Sequence, residues 1–118
     1  MKAWAYRDFT ASIQKDVEFG VAKRGYSELQ AIGFAHGELE LREEEFPEET
    51  PMALVAVATQ CILKRVLSAY LQEALFAAAL REAIKDENVA SVVRILPKDQ
   101  VGEFKEDVEA VKAALNRL

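Results

Sequence analysis

The chain has 118 residues, 51% of them hydrophobic and 30% charged, with a formal net charge of −5. That is enough chain and enough apolar side chain to close one core, which excludes a disordered polypeptide; the single cysteine, Cys61, excludes an intramolecular disulfide. An acidic balance with no basic stripe argues against nucleic-acid binding, since phosphate contacts need clustered Lys and Arg and the pairs Lys23-Arg24 and Lys64-Arg65 are small.

The N-terminal residues Met1-Lys2-Ala3-Trp4-Ala5-Tyr6-Arg7-Asp8 hold no apolar run of signal-peptide length, so a cytoplasmic protein is expected. A first helix is predicted from a cap at Asp8 or Thr10, carrying Phe9, Ile13, Val17 and Val21. It stops at Lys23-Arg24 followed by Gly25, a residue that tolerates positive φ.

Ser27-Glu28-Leu29-Gln30 has the capping-box pattern and opens a second helix. Leu29, Ile32, Leu39 and Phe46 fall on one face of it, with His36 and Glu43 on the same stripe. Gly33 and Gly37 weaken it by roughly 1 kcal/mol each relative to Ala. Alternation at Ala35, Gly37, Leu39 and Leu41 leaves open a short strand near residues 35–46.

Most of the net charge sits in this region. Residues 1–37 sum to +1 and residues 50–118 to zero, while Glu38, Glu40, Glu43, Glu44, Glu45, Glu48 and Glu49 face one Arg42. Such a ridge is most simply a solvated face, and it also suits a basic protein partner steered in by charge.

Pro47 closes the segment, and Thr50-Pro51 starts a third helix with an N-cap residue before a first-turn proline. No glycine or proline interrupts residues 52–85. One helix over that span is a rod of roughly 50 Å, so a bend or break near Ser68 to Tyr70 is expected. Lys64-Arg65 and Gln72-Glu73 exclude a membrane span there.

Between Val66 and Ala79 apolar residues occupy nearly every angular position, and such a helix must be covered all round. Small residues at Ala74, Ala77 and Ala78, with Tyr70 and Phe76, suggest a close seam with a second copy of the chain. An apolar pocket lined by Trp4, Tyr70 and Phe76 is the alternative use of the same surface.

Asp86-Glu87-Asn88 ends that helix, and residues 89–96 make a short strand or a short helix stopped before Pro97. A final helix begins near Asp99 or Gly102. Its stripe of Phe104, Val108, Val111, Leu115 and Leu118 has 4-3-4-3 spacing, and Val108, Val111 and Leu115 are a second candidate for a homodimer seam.

No catalytic constellation stands out. Cys61 lies in an apolar run where a thiol is unreactive, the five glycines are scattered, and His36 is the one imidazole. His36, Glu40 and Glu43 share a helix face and are weak candidates for a metal site, with too few ligands to complete one.

Glu40-Leu41-Arg42-Glu43 forms an E-x-x-E pair, and Glu82 with Asp86 forms a second acidic pair. The arrangement is superficially similar to the all-helical nucleoside-triphosphate pyrophosphohydrolases of the MazG type, which hold Mg²⁺ on acidic helix pairs. That resemblance implies a Mg²⁺-dependent hydrolase using Glu40, Glu43, Glu82 and Asp86. The second pair departs from the family's E-x-x-D form, and no Lys or Arg cluster beside it speaks for a triphosphate.

The expected protein is therefore a single all-α domain, residues 1–118, with four to five helices; α+β with strands near 35–46 and 89–96 is the alternative. The expected role is an interaction protein that self-associates and presents an acidic edge, without a cofactor. A small-molecule-binding module and the Mg²⁺-dependent hydrolase are the rival roles.

Overall fold

The structure, a computed structural model, describes residues 3–118. Among these residues are seven α-helices and no strand: α1 (Tyr6–Arg24), α2 (Glu28–Glu45), α3 (Thr50–Leu63), α4 (Leu67–Tyr70), α5 (Ala74–Ala83), α6 (Asp86–Ile95) and α7 (Lys98–Asn116). A 3₁₀ turn over Pro47–Glu49 links α2 to α3. The all-α class holds. The count of four to five helices is too low, and the strands near 35–46 and 89–96 are helical, in α2 and α6. Met1 and Lys2, the start of the N-terminal stretch, lie outside the described residues, and no described helix is long and apolar enough to cross a membrane.

The first two helices follow local chemistry. α1 begins two residues before Asp8, whose carboxylate accepts from the Ala5 amide at 2.8 Å. It ends at Gly25, which takes the left-handed conformation at φ 69°. The Ser27 hydroxyl accepts from the Gln30 amide at 3.1 Å and the Ser27 amide donates back to Gln30 Oε1 at 3.1 Å, the capping box expected for α2. The two helices cross closely at Gly20, where a Cβ would stand 3.1 Å from both Ala31 Cβ and the Tyr26 ring.

The centre is α3. Every residue from Met52 to Ala58 is buried, and α3 touches all six other helices. The element covered all round is thus this one, and not the stretch from Val66 to Ala79. Two physical facts cause the difference. α3 carries the least polar run of the chain, and its alanines 53, 56 and 58 let neighbouring helices approach.

The span 52–85 is interrupted twice without glycine or proline, once after Leu63, where no break is expected, and once after Tyr70, at the end of the stretch where one is. At the end of α3 the Val66 amide donates to Cys61 O at 2.9 Å and the Arg65 amide to Ile62 O at 3.1 Å, with Arg65 at φ 61°. These are the paired bonds of a Schellman stop, with arginine where glycine is usual, at a cost of about 1 kcal/mol. Burial of Leu67 just beyond it, worth about 1.5–3 kcal/mol, offsets that cost. Gln72 and Glu73 close tight turns onto Ala69 O and Tyr70 O, each at 3.2 Å, and Glu73 extends to launch α5 in a new direction.

Asp86-Glu87-Asn88 opens a helix, contrary to expectation. Lys85 is extended, so Asp86 and Glu87 fall in the first turn of α6, where carboxylates favour the positive helix end. The Asn88 amide group donates to Glu82 O at 2.7 Å and serves a terminal carbonyl of α5. α6 stops before Pro97, as its sequence requires, and α7 lays Phe104, Val108, Val111 and Leu115 against α3.

The N-terminal segment is tied to the α2–α3 junction. Glu49, only 2% exposed, accepts from Arg42 Nε at 2.8 Å through one carboxylate oxygen. The other oxygen takes Arg42 Nη2 at 3.1 Å and the Trp4 amide at 3.0 Å. The Arg42 guanidinium lies between the Trp4 and Phe46 rings, 4.4 and 4.6 Å from their centroids. Arg42→Ala strands a buried carboxylate, and urea unfolding of that variant is expected to show a loss of about 3–5 kcal/mol. A loss below about 1 kcal/mol, the value of an exposed pair, shows that Glu49 reaches water.

Candidate functional site

A cleft of about 800 Å³ opens between α2 and the α4–α5 corner. Its α2 wall is the stripe Leu29, Gly33, His36, Glu40 and Glu43, at 4-3-4-3 spacing along one helix face. Tyr70, Glu73, Leu75 and Phe76 form the opposite wall, and Thr50 and Leu54 of α3 lie at the base. The space beside Gly33 is open: a Cβ there would only just touch the Tyr70 ring, at 4.0 Å. The break between α4 and α5 turns Tyr70 and Phe76 toward α2.

Three rings lie together in the cleft. Tyr70 and Phe76 stand edge to face with centroids 4.6 Å apart, and His36 meets Phe76 the same way at 5.6 Å. His36 Nδ1 and the Tyr70 hydroxyl are 3.1 Å apart. The other imidazole nitrogen, Nε2, lies 3.8 Å from Glu43 Oε1, beyond hydrogen-bond range. Glu43 Oε1 is buried and accepts no hydrogen bond. Burial, foremost, pushes the Tyr70 phenol above its ordinary range, and the negative ends of Glu40, Glu73 and Glu43 add to that.

The acidic ridge divides among several environments. At about 100° per residue, Glu38 and Glu45 share one side of α2 while Glu40, Glu43 and Glu44 share another. Glu40 and Glu43 belong to the cleft, and Glu38 lines a second hollow with Asp16, Phe19, Arg24, Tyr26 and Phe34. Glu44, Glu45 and Glu48 are exposed, and Glu49 is buried under Arg42. The seven residues therefore do not form one docking face.

Of the proposed seam residues, Val108, Val111 and Leu115 are used by the chain's own core, which leaves no free stripe on α7. Ala74 and Ala78 are exposed, Ala77 is half-buried, and Tyr70 and Phe76 face the cleft. Trp4 does not join Tyr70 and Phe76: it packs against Phe9 at 5.0 Å, under Arg42.

His36, Glu40 and Glu43 share the helix face without converging, and among the described residues no three of His, Cys, Asp and Glu gather as ion ligands. Glu82 pairs with Lys85 at 2.7 Å and Asp86 with Lys112 at 3.3 Å, apart from Glu40 and Glu43. The four carboxylates that the hydrolase resemblance requires do not meet. Compared with protein-family models, curated proteins and solved structures, the chain matches none.

Nothing in the sequence marks Glu73, Leu75, Thr50 and Gly33 as site residues. The α2 half is readable as a stripe, and the other half depends on the direction α5 takes from Glu73 after the bend or break expected near Ser68 to Tyr70.

Cys61 is fully buried in α3, and desolvation pushes its thiol up to about 12. At pH 8 the thiolate fraction is then about 10⁻⁴. Thiol-exchange labelling of the native chain is expected to run at least about 100-fold slower than in denaturant. Equal rates in both states mean that Cys61 is accessible.

Proposed function

We propose that the protein is a binding module that takes a small, partly apolar molecule into the cleft between α2 and the α4–α5 corner. The observation that carries this reading is the cleft itself. Its volume of about 800 Å³ lies within the range of roughly 300–1,000 Å³ typical of ligand sites. Apolar and aromatic groups dominate its lining, and a few polar groups converge in it. Leu75, 82% exposed, offers an apolar lip that a bound molecule would cover.

Gly33 borders the open space. A Cβ there would meet nothing nearer than the Tyr70 ring at 4.0 Å, so a larger side chain at this position would reach into the cleft. Gly33→Leu is expected to keep the helical circular dichroism spectrum while filling the cleft. Small aromatic and aliphatic compounds that raise the melting temperature of the natural chain, in proportion to the logarithm of their concentration, should then lose that effect. Shifts that persist in the variant remove the cleft from the account.

A second reading, self-association, is favoured by a different surface from the expected seam. Phe19 is 51% and Phe34 59% exposed on the α1–α2 face, with Tyr26 stacked on Phe34 at 4.8 Å. Arg24 beside Asp16 and Glu38 gives that face both signs of charge, which suits a twofold contact. Light scattering is expected to report a dimer at micromolar concentration and a monomer for Phe34→Glu; a monomeric natural chain ends this reading.

A further inference from the structure

We propose that the ligand of the cleft is a small organic cation, an amine or quaternary ammonium carrying an apolar tail; this rests on the reading of the cleft as a ligand site. The first ground is the sign of the charge. Glu40, Glu43 and Glu73 line the cleft, and neither lysine nor arginine does. A carboxylate or phosphate ligand would meet carboxylates on both walls, with no lysine or arginine to receive it. In a cleft walled by protein such a one-signed field is screened less than on open surface and concentrates the opposite charge.

The second ground is an enclosed carboxylate. Glu43 lines the cleft with its side chain only 15% exposed, its Oε1 accepts no hydrogen bond, and His36 Nε2 stands 3.8 Å from that oxygen. A carboxylate so little hydrated and without a donor on one oxygen gains from a countercharge in the adjoining space, whether or not that cation carries an N–H.

The third ground is aromatic. Tyr70 and Phe76 line the same space, and a cation within about 6 Å of a ring centroid is held by the ring quadrupole. The remaining wall, Leu29, Leu54 and Leu75, suits a hydrocarbon tail, so polar and apolar ends of one molecule are both accommodated. A bare metal ion fits poorly, because no three ligating side chains converge among the described residues.

The test is a chemical-shift titration of the full chain with two probes of one shape: benzyltrimethylammonium, and neopentylbenzene, in which carbon replaces the charged nitrogen. The cation is expected to shift the amides of Gly33, His36 and Glu73 and to bind at least about tenfold tighter than the neutral probe. Glu43→Gln, and independently the exposed Glu40→Gln, should each weaken the cation about threefold or more and leave the neutral probe unchanged. The amide spectrum of each variant without probe reports whether the fold is kept.

If both probes bind the cleft equally, or the neutral one more tightly, the cation inference fails and the binding-module reading stands. Should the cation shift only residues around Phe19 and Glu38, the inference fails because its site is elsewhere. Binding of neither probe to any of the cleft residues overturns both readings.

Discussion

The need to cover α3 on all sides governs the rest of the molecule. A helix with seven consecutive buried residues cannot lie against one neighbour, because successive side chains point about 100° apart around its axis. Six other helices in one short chain can surround it only if some of them are brief and sharply turned. The short α4, the launch of α5 at Glu73 and the start of α6 at Asp86 are the results. Each turn carries a local cost, visible at Arg65 with its positive φ, and burial of apolar surface against α3 offsets it.

The cleft is a by-product of that wrapping. Where α4 turns into α5, the chain leaves α2 and α3 without filling the corner, and Tyr70 and Phe76 line the opening opposite the α2 stripe. The ion pair at the other end of α2 works differently. Arg42 and Glu49 are satisfied by each other, by two rings and by the Trp4 amide, so that region fixes the α2–α3 junction and leaves no charge for a ligand. Two glutamates six residues apart, Glu43 and Glu49, thus have opposite situations. Glu49 has a full set of donors, whereas Glu43 presents a buried oxygen with none.

Net charge alone would have treated the seven glutamates as one feature. Their separation follows from helical periodicity, which distributes a dense run around the axis, and from the turn at Pro47, which drops Glu49 into the core. An acidic stretch in sequence is therefore several different electrostatic environments in space. The part with chemical potential is the part that a neighbouring wall encloses, because a low-dielectric boundary strengthens the field there.

By itself the sequence determined the all-α class, the limits of α1 at Gly25 and of α2 at Ser27, the stop before Pro97, and the α2 face holding His36, Glu40 and Glu43. These depend on caps, glycine conformation and spacing within one helix, all of which act over a few residues. Tertiary structure alone decided the break after Leu63, the direction in which the chain leaves the break expected near Tyr70, the burial of Glu49, the use of Val108, Val111 and Leu115 by the chain's own core, and the meeting of Tyr70 with His36. The reason is that no local signal marks them. Arginine is a poor left-handed residue and Glu73 an ordinary helix former, so packing against α3 had to overrule local preference at both, and only the folded chain contains that packing energy.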